Sequence, residues 1–321
     1  MKSRFSQVTT AVLLASILTT GCGRSTRSTT QKVSSSRPKK EPTKVILMRT
    51  PNGGIQPQAA VDADGRIHLI YFKGNPRAGN LFYVSKAPSE EQFSKPIRVN
   101  TTPESAIAIG NVRGAHLSLG AKNQVHVAWM GSQKARTKKT ANQSPMLYTR
   151  LNEKRDAFEP ERNVISKAYG LDGGGSIAAD EKGNVYVVWH APTPGKRGEE
   201  HRRIWVAHSK DGGQTFASET SPFEKETGVC GCCGIRAWVD RRGTLYVLYR
   251  SATKQVDRDI YLVRSSDHAK SFLDNRLDTW AVTVCPMSTM GFAEHDDVVL
   301  ACWETEGQVL FAKIDSKTGK T

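Results

Sequence analysis

The stretch Gly183-Asn184-Val185-Tyr186-Val187-Val188-Trp189 pairs a turn with alternating strand residues and ends on an aromatic residue. The same pattern returns at Gly65 to Tyr71, Gln124 to Trp129, Gly243 to Tyr249 and Val298 to Trp303. The closing aromatics Tyr71, Trp129, Trp189, Tyr249 and Trp303 recur every 54 to 60 residues. A small-residue strand precedes each copy, such as Ala59-Ala60-Val61 or Ser176-Ile177-Ala178-Ala179, and a third strand follows, such as Arg203 to Ala207 or Ile260 to Val263. Even spacing of short strands, with turn residues between them and no long amphipathic helical pattern, predicts an all-β chain. Three or four strands in each of five such repeats predict the blades of a β-propeller, with the small first strand on the crowded inner wall.

One turn sharpens this. Ser209-Lys210-Asp211-Gly212-Gly213-Gln214-Thr215-Phe216 spaces its residues so that Asp211 with Ser209 and Thr215 caps backbone donors, Gly213 takes a positive φ, and Phe216 plugs between sheets. Ser265 to Phe272 is a degenerate copy in the next repeat, and Phe93 and Phe158 keep only the aromatic. The pattern resembles the Asp-box of the BNR-repeat, sialidase-like propellers, and the resemblance covers nearly all of Val45 to Lys313. Members of that clan usually have six blades. The five repeats here predict a five-bladed ring, closed by the apolar segment Lys44 to Arg49 as the missing outer strand of the last blade. The alternative is a six-bladed relative lacking one blade and left partly open.

The N-terminal region reads separately. Met1-Lys2-Ser3-Arg4, an apolar run centred on Ala11 to Leu18, and Thr19-Thr20-Gly21-Cys22 form a secretory signal too short to span as a permanent helix. Its end resembles a bacterial lipobox, which implies lipidation of Cys22 and a place in the cell envelope, on the outer membrane or facing the periplasm. The expected organisation is 1–22 signal and lipidated Cys, 23–44 disordered basic tether, 45–321 propeller. The tether is rich in Ser, Thr, Lys, Arg and Pro and cannot bury enough surface to order itself. Residues 1–44 hold nine basic residues and one acid, so they carry +8 of the +15 net charge and leave +7 to the remaining chain. Charge therefore gives no case for nucleic acid, which export and the lack of a binding motif also disfavour. The expected protein is a monomer whose partners are a membrane, through the lipid, and a glycan or other envelope ligand.

In a propeller the loops leading into the innermost strands share one face with those between second and third strands. That rule gathers Arg113, His116, Asp172, His190, Arg236, Arg250 and Glu304 on the ligand-binding face. The resemblance implies three arginines on a substrate carboxylate, an acid/base Asp and a Tyr nucleophile activated by Glu. Arg113, Arg236 and Arg250 suit the clamp, and Asp172 or Glu304 offers a carboxylate. The chain departs from the clan at Ile55-Gln56-Pro57, where sialidases carry Arg-Ile-Pro, and no Tyr/Glu pair matches by motif. A ligand-binding module is therefore the leading reading, with an exo-sialidase-like hydrolase and a metal-handling envelope protein as alternatives.

Cys230, Cys232, Cys233 and Cys285 also fall on this face, in Cys230-Gly231-Cys232-Cys233-Gly234 and Cys285-Pro286-Met287-Ser288 of neighbouring blades. Three readings are open: disulfides, with Cys285 tied to one of the triplet and a second bridge within it, suited to an oxidising compartment; a thiolate site for copper or zinc, with Met287 or His190 assisting; and a catalytic or redox thiol. Cys302, inside an alternating strand, reads as a small core residue. His68 and His126 stand where Tyr186 and Tyr246 stand in sister repeats, and read as structural.

Overall fold

The computed structural model describes residues 45–321 except 111–113, 141 and 222. The chain divides into two compact units, Met1–Leu47 and Met48–Thr321. Of the first, only Val45 to Leu47 is described, as exposed chain without secondary structure. The signal, Cys22 and the tether lie outside the described residues. Among the described residues no helix is long and apolar enough to cross a membrane.

The second unit is all-β. Its five antiparallel sheets follow chain order, each with consecutive strands as neighbours. The first holds β1 (Ile55–Val61), β2 (Ile67–Asn75), β3 (Ala78–Lys86) and β4 (Ile97–Arg98); the second β5 (His116–Gly120), β6 (Gln124–Met130), β7 (Met146–Arg150) and β8 (Arg162–Asn163). The third holds β9 (Gly175–Ala179), β10 (Val185–Pro192) and β11 (Arg202–Ser209). The fourth holds β12 (Arg236–Val239), β13 (Leu245–Arg250), β14 (Ile260–Ser265) and β15 (Leu273–Asp278), and the fifth β16 (Met290–His295), β17 (Val298–Thr305) and β18 (Gln308–Asp315).

The repeat aromatics Tyr71, Trp129, Trp189, Tyr249 and Trp303 are all buried on second strands. Those strands are sandwiched on both faces, which is why they read as nearly continuous apolar runs. Apolar layers join the first sheet to the second through Ile70, Leu117 and Trp129, and the second to the third through Tyr148, Ile177 and Trp189. Further layers join third to fourth through Val188, Ile235 and Tyr249, and fourth to fifth through Leu248, Met290 and Trp303. Small residues of the five first strands, among them Ala59, Ser118, Ala178, Ala237 and Gly291, line a central channel of about 870 Å³. Serines stitch its wall: Ser118 Oγ accepts from Ala179 N at 3.0 Å, and Ser176 Oγ accepts from Ala237 N at 2.9 Å.

The turn network implied by the spacing of Ser209 to Phe216 forms. Asp211 Oδ1 accepts from Thr215 N (2.9 Å), its Oδ2 from Thr215 Oγ1 (2.6 Å), and Ser209 Oγ accepts from Gly213 N (2.9 Å). The copy at Ser265 to Phe272 repeats it: Asp267 Oδ1 takes Ser271 N (3.0 Å), Oδ2 takes Ser271 Oγ (2.6 Å), and Ser265 Oγ takes Ala269 N (2.9 Å). Each turn leans on the preceding sheet. Phe216 meets Tyr148 edge-on at 4.8 Å, Arg150 Nη1 donates to Gly212 O at 2.8 Å, and His268 Nδ1 lies 3.0 Å from Tyr186 Oη.

Among the described residues the expected closing strand is not seen. Val45 to Arg49 is assigned to no strand, Lys44 is not described, and Pro51 to Gly53 turns the chain directly into the inner strand β1. Among the described residues β18 has no outer neighbour, and its Val309 and Phe311 are 77% and 65% exposed. Among the described residues no apolar layer joins the fifth sheet to the first: Leu69, Tyr71 and Val84 form a small cluster within the first sheet. Four seams are therefore packed, and closure of the ring by Lys44 to Arg49 is not observed.

Candidate functional site

At one end of the channel a smaller cavity of about 120 Å³ is lined by Gln56, His116, Arg236, Thr289 and Met290, among others. These residues come from the segments leading into the first strands of four sheets, as the topological rule requires. His116 and Arg236 line both this cavity and the channel, so they form part of the partition between them.

The partition is a hydrogen-bonded group spanning four sheets. Arg236 Nη1 donates to His116 Nδ1 at 3.0 Å, and Arg236 Nε donates to Met290 O at 3.2 Å. Guanidinium can only donate, so His116 Nδ1 is an acceptor and the ring proton sits on Nε2. Ser176 Oγ lies 3.0 Å from the same nitrogen and accepts from Ala237 N. Burial, reinforced by the Arg236 charge, holds His116 well below the usual histidine range, so the imidazole is neutral. Gln56 reaches across from the first sheet and donates through Nε2 to Ala108 O at 3.3 Å and to Gly110 O.

The other expected site residues lie elsewhere. Arg113 falls outside the described residues. Arg250 is 1% exposed and turned into the protein: Nε donates to Ser288 Oγ at 2.9 Å, Nη1 to Arg258 O, and Nη2 to Glu304 O and to Thr305 Oγ1 at 3.2 Å. Its guanidinium also stacks over Trp280 at 4.9 Å. Glu304 serves Arg250 through its carbonyl, while its carboxylate accepts from Gly307 N at 2.7 Å. Asp172 is half-exposed and pairs with Arg202 at 3.1 Å. His190 is fully buried beside the cysteine loop, where a Cβ on Gly173 would stand 2.5 Å from its Nε2. None of Asp172, His190, Arg250 and Glu304 lines the Arg236 cavity.

The cysteine loop sits next to that cavity, tied to the fifth sheet by Gly234 N donating to Ser288 O at 3.0 Å. Glu199 holds the loop from outside, accepting from Gly231 N (2.9 Å), Arg202 (3.2 Å) and Arg258 (2.8 Å). A Cβ on Gly231 would lie 2.1 Å from Arg202 Nη1, so any other residue there would have to displace that guanidinium. Cys232 and Cys285 form a disulfide, while Cys230, Cys233 and Cys302 are free thiols. Cys230 Sγ lies 3.2 Å from Cys232 Sγ and 3.3 Å from Cys233 Sγ. Its hydrogen bond, helped by Ser288 and the Arg250 charge against the cost of burial, holds the Cys233 thiol below the usual range. The same hydrogen bond and burial push Cys230 up.

The sulfurs of Cys230, Cys232 and Cys233 all lie within 4.8 Å of one another, close enough for a shared soft metal ion. With the disulfide intact Cys232 brings no thiolate, so a three-sulfur site requires its reduction. Cys302 donates weakly to Gly291 O at 3.5 Å within the last sheet. His68 and His126 are buried against Tyr83 and Tyr148, each 2.7 Å from the phenol oxygen, which accords with structural roles.

Sequence reasoning missed Gln56 and Ser176 as partners of the site, and Glu199 as the anchor of the cysteine loop. It also missed that Cys230 and Cys233 alone make a Cys-x-x-Cys pair, a spacing masked by the intervening Cys232.

No family model and no curated protein sequence matches this chain. Solved structures share its fold. The sialidase of Trypanosoma rangeli, in complex with the inhibitor DANA, superposes with a TM-score of 0.53 at 11% identity, covering 77% of this chain and 43% of that one. A Hadza microbial sialidase gives 0.48 at 12% identity, over 77% and 54%. The polysaccharide lyase Uly1 gives 0.49 at 10%, over 81% and 58%. The chain thus spans about half the length of these structures, and the likeness to the Trypanosoma rangeli sialidase shows a sialidase-like β-propeller fold.

Proposed function

We propose that this protein is an exported propeller, held at the cell envelope by a lipid on Cys22 and the tether 23–44, that binds the acidic end of a glycan at the Arg236 cavity. The observation that supports this is the convergence of Gln56, His116 and Arg236 from three sheets on one small polar cavity. Arg236 has N–H donors beyond those given to Met290 and His116, and a guanidinium pairs with a planar carboxylate through two parallel bonds. A neutral His116 fixes that guanidinium without adding a competing charge. A cavity of about 120 Å³ suits one substituent of a sugar rather than a chain. Among the described residues no tyrosine and no carboxylate lines it, so binding is favoured over hydrolysis.

Binding to immobilised sialylated, uronate-bearing and neutral glycans tests the reading. The expected result is retention of at least one acidic class, weakened about 10- to 100-fold by Arg236→Ala, the worth of a charge-assisted hydrogen bond. Equal retention of neutral glycans, or no effect of Arg236→Ala, overturns it. Release of fluorophore from a sialoside establishes the hydrolase instead.

A further inference from the structure

The cysteine cluster holds two oxidation levels side by side. Cys232 and Cys285 are joined, and Cys285 is exposed; Cys230 and Cys233 are thiols and both buried. Cys230 is the sulfur common to both pairs, in contact with Cys232 on one side and Cys233 on the other. A thiol touching a disulfide sulfur is the reactant geometry for exchange, which proceeds by thiolate attack through a mixed disulfide.

A second observation comes from Arg250. Its guanidinium is buried, yet its hydrogen bonds all go to neutral oxygens, those of Ser288, Arg258, Glu304 and Thr305. A buried cation without an anion in contact is costly. Burial works against its charge, and of the attractions that oppose burial Cys233 comes first, ahead of Glu304 and Cys230. Ser288 links the two, accepting from Arg250 Nε and donating to Cys233 Sγ at 3.6 Å. The surroundings of Cys233 are thus arranged for a thiolate.

We propose that the four cysteines form a thiol–disulfide relay, which moves a disulfide from the Cys232–Cys285 pair to the buried Cys230–Cys233 pair and leaves a dithiol with Cys285 at the surface. Cys230 passes its proton to the Cys233 thiolate and attacks Cys232 Sγ. The Cys232–Cys285 bond breaks and Cys285 leaves as thiolate, taking the proton from Cys233. Cys233 then attacks Cys230 Sγ, the Cys230–Cys232 bond breaks, and Cys232 leaves and is protonated from solvent with the proton the cluster's ionised thiol had released. Two thiols and one disulfide enter, and two thiols and one disulfide leave. The Cys232/Cys285 dithiol then reduces a disulfide of a second molecule through the exposed Cys285, giving up two electrons and two protons as its own disulfide re-forms.

The test uses the exported full chain carrying Cys302→Ser, so that Cys285 is the sole cysteine of its tryptic peptide. Iodoacetamide is added to folded protein and alkylation of Cys285 is followed by mass spectrometry. The expected result is complete alkylation of Cys285 with one disulfide retained, at a rate lowered at least tenfold by adding Cys230→Ser. Equal rates with and without Cys230 overturn the relay. Should the Cys230→Ser chain fail to fold, thiols of the Cys302→Ser protein are counted across glutathione redox buffers. Four cluster thiols falling to two and then to none support the relay, and two thiols persisting in the most oxidising buffer overturn it. One equivalent of zinc or copper retained by the purified protein with all four thiols reduced also overturns it, in favour of a metal site.

Discussion

Arg236, at the start of β12, donates to Nδ1 of His116, at the start of β5, across the mouth of the channel at 3.0 Å. The two residues are 120 positions apart, and the third sheet's Ser176 completes the group between them. The bond fixes the tautomer and keeps the imidazole neutral, which gives the first expectation. In nitrogen-resolved NMR His116 should carry its proton on Nε2 and show no titration between pH 5.5 and 8. A midpoint near 6.5 would show that Arg236 does not hold this position in solution.

Acid sensitivity follows from the buried histidines. Burial lowers His126 to about 3 and, with the neighbouring His268 charge, His208 to about 4. In the unfolded chain both take up protons near pH 6.5, while the folded state refuses them until far lower pH. Stability is therefore full above about pH 6.5 and falls as pH drops toward 4, before the aspartates of the turns begin to protonate. The Tm measured from pH 8 to 4 should decline over this window. His126→Gln should flatten the slope while lowering Tm at pH 7; an unchanged slope would count against this assignment.

The two capped turns offer a paired test. Gly213 has φ +80°, and a Cβ there would sit 1.7 Å from Tyr148 Oη, so Gly213→Ala is both strained and obstructed. Ala269 occupies the same place in the next turn at φ +61°, paying the left-handed penalty that glycine avoids. Gly213→Ala should lower Tm by several degrees, whereas Ala269→Gly should leave it unchanged or raise it slightly. Thermal unfolding of both decides, and a loss on Ala269→Gly as large as that on Gly213→Ala would contradict the equivalence.

Glu199 joins Arg202, Arg258 and the Gly231 amide in one half-buried network that backs the cysteine loop. Its carboxylate is held below the usual range by these partners against the cost of burial. Glu199→Ala should cost on the order of 1–3 kcal/mol, the worth of hydrogen bonds to a charged group. The same change should speed alkylation of Cys230 and Cys233 in folded protein. Urea unfolding and thiol kinetics measure the two effects, and unaltered thiol kinetics would show that the loop holds without Glu199.

Much of the architecture was legible because it is repetitive. Tyr71, Trp129, Trp189, Tyr249 and Trp303 recur at one spacing, and the strands around them inherit their register from a period of two. The turn at Ser209 to Phe216 was legible because its side chains bond within eight residues. What failed to show was everything set by contact between sheets. Arg236 and His116 looked like two independent loop residues, and Arg250, expected at the ligand face, is an interior cation whose partners come from the ends of β17 and from the Ser288 segment. The closing strand failed for a related reason: apolar content in Val45 to Met48 says that burial is favourable, without saying which edge receives it.

The capped turns have one more consequence. Because Phe216 and His268 each rest on the sheet before their own, every such contact couples a sheet to one neighbour only. Linear arrays of this kind lose structure by fraying, with nearest-neighbour couplings setting how far the damage spreads. Among the described residues the first and fifth sheets each have one packed seam, and the fifth also has an outer strand without a neighbour, which makes it the weaker end of the series. Amide exchange should be fastest along β18, slower in β16 and β17, and slowest around Trp189, where both flanks are clasped.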